Sequence, residues 1–195
     1  MSRIAPIPRS DLAEYEEGFT VVEAFMGFVP SSLFTMARVP RLLEGFTGLA
    51  QVVFTNGLVP ADLTQLVGHL TSAASGCRYC QAHTAAHAEH LGVDEAKLAE
   101  LWSFETSDRF DDAERAALRL AFHAGQHPNA VTDADITACR EHFSDEQITA
   151  IVAVCSLFGY LNRWNDTMAT TLEDVPRDTA ERVLAGQGWE IGKHS

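Results

Sequence analysis

Cys77 and Cys80 are the residues of this sequence whose type and spacing point most directly to chemistry. Two cysteines three apart at the start of a helix lie on one face, close enough to bridge. A helix's first turn offers free N–H groups and the positive end of its dipole, and Arg78 adds positive charge, so a thiolate is favoured over a thiol. One thiolate can then attack a peroxide oxygen or a disulfide, and the other thiol can resolve the product. His83 and His87 continue the face of Cys80 and titrate near neutrality, so either can move a proton. His90 extends the row but falls about 15 Å beyond Cys80, out of direct reach.

Other readings of the same residues stay open. Cys77, Cys80 and two of His83, His87 and His90 have the donor types of a zinc site, but four ligands on one short helix struggle to surround a metal tetrahedrally. The pair can also be two chance buried thiols, which is how the isolated Cys139 and Cys155 read. His123, His127 and His142 read as surface or capping residues. The expectation is of a redox pair with no metal and no cofactor.

The elements that must position this pair are helical. No stretch alternates apolar and polar residues long enough for a strand, whereas steps of three and four recur between turn residues. Helices are predicted over Asp11 to Met26, Leu42 to Phe54, from Pro60 and Asp62, from Cys77 to Leu91, and around Asp94 to Trp102 and Asp111 to Gln126. Thr132 and Ser144 read as N-caps, Ser144 with Gln147 at capping-box spacing, and a last helix is expected after Pro176. Apolar positions of Leu63 to Thr84 fall in step with those of Ile148 to Ala169, suggesting two similar helix pairs. The tail from Gly186 to Ser195 reads as frayed or as a subunit contact. The class is all-α, with about nine helices.

At 195 residues the chain is long enough for a core without staples. A net charge of −13 repels phosphate backbones, which argues against nucleic acid as a partner. The first ten residues lack the apolar run of a signal peptide, and the longest apolar stretch, Ile148 to Leu161, is too short to span a bilayer. The expected compartment is therefore the cytoplasm, with no membrane partner. There a close cysteine pair is more often catalytic than a staple.

From about Leu42 to Leu172, and most sharply from Leu63 to His87, the sequence resembles the carboxymuconolactone decarboxylase superfamily, and within it the alkylhydroperoxidase D-like, peroxidase-related branch. That signature is a glutamate, eleven residues, Cys-x-x-Cys and a histidine four residues on; Ser75-Gly76-Cys77-Arg78-Tyr79-Cys80 fits its frame. The resemblance implies a single helical domain of the alkylhydroperoxidase D-like type: an N-terminal helical extension over 1–41, a core over 42–172, and a C-terminal helix and tail over 173–195. It implies Cys80 as the attacking cysteine and Cys77 as its resolving partner. The activity implied is reduction of a small alkyl hydroperoxide, or of a disulfide, at the expense of a thiol reductant or reductant protein. It also implies a homo-oligomer, in keeping with apolar residues on more than one face of Leu42 to Phe54.

Two positions depart from the pattern. The glutamate's place is held by Gln65, which cannot accept a proton, and the histidine's by Thr84, with His83 one residue early. His69, one turn after Gln65, is a candidate for the missing base. The segment Phe158 to Asp166 resembles a late helix near the family's active site, with no chemistry assigned. The alternatives are a decarboxylase-like enzyme on a small organic acid, or a small-molecule- or metal-binding redox sensor.

Overall fold

The computed structural model describes residues 2–195, and among them every regular element is helical. Ten α-helices run in the order α1 (Glu16–Met26), α2 (Ser31–Met36), α3 (Leu42–Thr55), α4 (Ala61–Ala74), α5 (Arg78–His90), α6 (Glu95–Ala99), α7 (Asp112–Ala124), α8 (Asp133–Arg140), α9 (Asp145–Met168) and α10 (Asp174–Val183). The helix absent from the sequence reading is α2, a six-residue element behind Pro30, too short to show a period. The predicted helix from Asp11 instead opens with two 3-10 turns, and α1 proper starts at Glu16. None of the described helices is long and apolar enough to cross a membrane.

The caps that could be read locally form as expected. Thr132 and Ser144 each close a capping box, with Asp135 and Gln147 as the reciprocal partners, and Asp111, read only as a helix start, closes a third with Glu114. The last helix differs from expectation: it begins at Asp174, with Glu173 as N-cap and Pro176 inside the first turn. Proline is tolerated there because the first N–H groups of a helix have no intrahelical acceptor.

At the centre stand α4 and α5. Every residue from Leu63 to Ser72 and from Tyr79 to Ala88 is buried, so this pair has no solvent face. Small side chains let neighbours approach. A Cβ at Gly68 would stand 2.3 Å from the Phe158 ring of α9, so only glycine fits under that ring. The turn between α4 and α5 is made at Gly76, whose φ of +75° other residues adopt only with strain. The suggested likeness of Leu63–Thr84 to Ile148–Ala169 does not extend to structure: the first is a helix, a turn and a helix, the second lies within one helix save its last residue.

The N-terminal segment adds a smaller core of Leu12, Phe19, Val29, Leu33, Met36 and Leu43. The C-terminal tail is not frayed. Trp189 is buried and donates from Nε1 to the Arg78 carbonyl at 3.0 Å, and His194 is 1% exposed. The N-terminus is tied to the same region, Arg3 N–H donating to the Met168 carbonyl at 2.8 Å.

Candidate active site

Cys77 is the N-cap of α5, its own N–H spent on the Ser72 carbonyl at 3.0 Å, and Cys80 follows in the first turn. Both thiols are free and buried, and Cys77 lies near enough to weigh on the Cys80 thiol. Asn165 of α9 points Nδ2 at Cys80 Sγ from 3.5 Å. Cys80 forms part of the wall of a cavity of about 760 Å³, closed by α1, α3 and α9 with Phe25, Phe46, Phe54 and Phe158 among its apolar residues. Gln65, His83, Thr84 and His87 share that wall; Cys77 and His69 do not. Cys77 instead faces away, with Asp166 and His194 close by.

The expectation of a thiolate at Cys80 does not hold for the resting site. Burial pushes the Cys80 thiol well above its ordinary value, and the thiol and charge of Cys77 push it further, offset only in part by the Asn165 N–H. Desolvation outweighs the helix N-terminus here. Ionisation of Cys80 must therefore be coupled to a proton acceptor. Cys139 and Cys155, raised to about 11 chiefly by burial, are inert thiols at neutral pH.

The carboxylate missing at Gln65 is present from another direction. Glu173, the N-cap of α10, bonds His83 Nε2 at 2.6 Å, accepts from Tyr79 Oη at 2.8 Å and from the Ser31 N–H, and has 15% of its side chain exposed. Burial alone would raise its carboxyl, but the charge and hydrogen bond of His83 and the backbone N–H groups outweigh burial and hold it below its ordinary value. It stays ionised at neutral pH and fixes His83 at the cavity wall. No sequence signal singles out Glu173, which reads as one more acidic residue at a helix start.

The other two histidines are placed differently from each other. His87 is on the cavity wall, edge-on to Phe25 with ring centroids 4.5 Å apart, and its buried Nε2 has no hydrogen-bond partner. Burial, then the charge of His90, lower its pKa to about 4, so the ring is neutral. His69 lies behind the wall. Thr84 Oγ1 gives its hydrogen to the carbonyls of Cys80 and Gln81, so His69 Nδ1 is the donor in its 3.0 Å bond to that oxygen. This bond ties α4 to α5, and the structure does not bring His69 to the thiols as a base.

Burial lowers the pKa of His69 to about 4. Between pH 6.5 and 4 the unfolded chain takes a proton there that the folded chain refuses. Stability is therefore full above pH 6.5 and falls by about 3 kcal/mol as the pH drops to 4. Urea midpoints at pH 7 and pH 4.5 should show a smaller acid loss for His69→Asn than for the wild type. Equal losses in both would place the acid sensitivity elsewhere.

The site is thus a buried cysteine pair at the start of a central helix, with Cys80 facing an apolar cavity, within an all-helical domain. The carboxymuconolactone decarboxylase family model matches residues 40–122. No curated protein matches the sequence. Among solved structures, a cysteine-to-alanine variant of the debrominase Bmp8 in complex with 2,3,4-tribromopyrrole is 31% identical, with 94% of this chain and 100% of that one covered and a TM-score of 0.88. A peroxidase-related protein with an alkylhydroperoxidase AhpD core from Ralstonia eutropha JMP134 is 24% identical over 90% and 94%, with a TM-score of 0.79. Another peroxidase-related protein, from Silicibacter sp. TM1040, is 21% identical over 88% of each chain, with a TM-score of 0.74. The chain belongs to the carboxymuconolactone decarboxylase family and has the fold of its alkylhydroperoxidase D-like branch. The family is one of enzymes.

Proposed function

We propose that the protein reduces a small, largely apolar organic hydroperoxide at Cys80 and closes a Cys77–Cys80 disulfide, which a dithiol or a reductant protein reopens. The observation that carries this reading is the division of the two thiols: Cys80 faces the cavity, and the neighbouring Cys77 lies behind its wall. Substrate can reach only the first sulfur, and only the second stands ready to resolve it. Cys80 attacks the terminal peroxide oxygen, the O–O bond breaks, the alcohol leaves with a proton, and Cys80 is left as a sulfenic acid. Attack by Cys77 then forms the disulfide and releases water. His83, held by Glu173, is the group on the wall best placed to carry the proton from the buried Cys80 thiol to the leaving oxygen.

The likeness to the debrominase supports a second reading, reductive removal of a halogen from a small aromatic ring. Aromatic side chains line the cavity, and His87 Nε2 and Asn165 Oδ1 are buried without partners on its wall, which suits a ring bearing a polar hydrogen. Cys80 would take the halogen from a ring that gains a proton, and Cys77 would displace halide to give the same disulfide. The homo-oligomer implied by the family fits the exposed apolar face of α3 and α9, where Leu49 is 55% and Val52 66% exposed.

The deciding experiment gives the protein, in dithiothreitol, either cumene hydroperoxide or a bromopyrrole and measures cumyl alcohol and bromide. Catalytic alcohol formation supports the peroxidase; bromide release with no alcohol supports the second reading. If neither substrate turns over while Cys77 and Cys80 remain reduced, both fail. A disulfide formed once, without turnover, identifies a redox sensor.

A further inference from the structure

His194 is brought to the back of the dithiol by the C-terminal tail, and its surroundings fix its tautomer. Nδ1 lies 2.8 Å from the Thr170 carbonyl oxygen, which can only accept, so Nδ1 carries the hydrogen and Nε2 a bare lone pair. Nε2 is buried and has no hydrogen-bond partner, an arrangement that costs stability and calls for an explanation. Its neighbours are few. Cys77 Sγ, a carboxylate oxygen of Asp166 and a ring nitrogen of His194 all lie within 4.8 Å of one another, and Nε2 is 3.8 Å from Asp166 Oδ1. The ring is also held by its backbone, the His194 carbonyl accepting from Leu172 N–H at 2.8 Å.

We propose that His194 is the proton acceptor of Cys77, so that the C-terminal tail governs closure of the disulfide and not the attack by Cys80. The inference rests on the dithiol reading above. In closure, Nε2 takes the Cys77 proton, Cys77 sulfur bonds to Cys80 sulfur, and the S–O bond of the Cys80 sulfenic acid breaks. The departing hydroxide takes a proton on the cavity side and leaves as water, and the imidazolium returns its own to solvent past the half-exposed Asp166. Asp166 steadies the imidazolium while it lasts. The charged and titratable groups facing the ring are Cys77, Tyr79 and His83 from α5, Asp166 from α9, and Lys193 beside it. The same three donors could in principle hold a metal ion. Lys193 Nζ already sits 2.6 Å from Asp166 Oδ2, however, and its positive charge opposes a second cation there.

The test separates the two steps. Pre-reduced full-length protein is mixed with one equivalent of cumene hydroperoxide, quenched with dimedone over time, and mapped by mass spectrometry. The wild type should pass to the disulfide with little trapped sulfenic acid. His194→Gln keeps a donor for the Thr170 carbonyl but cannot take up a proton. It should consume hydroperoxide at the wild-type rate, close the disulfide about 100-fold more slowly and accumulate dimedone-trapped Cys80. Its closure rate should rise steeply with pH where that of the wild type does not, because the thiol must then lose its proton to solvent base, which a merely structural role would not produce. Closure by His194→Gln at the wild-type rate and pH profile overturns the proposal, as does an equal slowing of both steps. A wild type that consumes no hydroperoxide is instead a failure of the peroxidase reading. Closure is then timed with 4,4′-dithiodipyridine, where attack releases one thiopyridone and closure a second, and the same slowing of the second release alone is required.

Discussion

Cys80→Ser is expected to consume none of a stoichiometric organic hydroperoxide above the uncatalysed rate, whereas Cys77→Ser should consume one equivalent and stop. The asymmetry follows from placement. Only Cys80 is on the cavity wall, so its loss leaves no sulfur that substrate can reach. Losing Cys77 leaves the attack intact but strands the product as a sulfenic acid, with no buried thiol nearby to resolve it. Cys139 and Cys155 do not blur the result, since their thiols ionise only near about 11. The measurement is peroxide consumed per protein, with the oxidised residue located by peptide mapping. One equivalent consumed by Cys80→Ser with Cys77 oxidised would reverse the roles of the two cysteines.

The second large effect belongs to a residue far from the motif. Glu173→Gln should lower hydroperoxide turnover and the rate of Cys80 alkylation at pH 7 by about 100-fold, the usual cost of losing an acid–base group. The substitution keeps the size and much of the hydrogen bonding to His83 and Tyr79, but removes the carboxylate charge that faces His83 Nε2. Gln65→Glu should give no comparable gain, because the site already has its carboxylate. The sign for stability is also fixed. Glu173 has a folded pKa below its unfolded one, so its contribution is complete above the ordinary carboxylate range and is lost as pH falls through the lowered value. A Glu173→Gln variant that alkylates at the wild-type rate would remove His83 from the proton path.

What the sequence revealed and what it concealed divide along one physical line. Ser144 with Gln147, and Cys77 with Cys80, act within a few residues of themselves, and spacing along the chain is enough to read them. The helix α2 was invisible because six residues show no period, and its burial comes from the N-terminal core around it. Glu173 meets His83 across 90 residues, and His194 reaches the dithiol only through the path of the tail. Both look like ordinary polar residues near a helix or chain end. The low pKa expected at Cys80 failed for a related reason: a helix start can be read from sequence, but the burial that overrides it is set by the elements packed against α5, chiefly α4, α9 and α10.

Both ends of the chain fasten to the short stretch between α9 and α10. Ser2 Oγ accepts from Thr171 N–H at 3.0 Å, Arg3 N–H donates to Met168 O, and Leu172 N–H donates to His194 O. That same stretch ends in Glu173, so the carboxylate, the tail histidine and both chain ends are set in place together. A ribosome delivers the chain from its first residue to its last, and the dithiol helix emerges long before the residues that complete its surroundings. The surroundings of the dithiol are therefore complete only once Glu173 and His194 have been made, and a chain stopped short of them carries the cysteines without these neighbours.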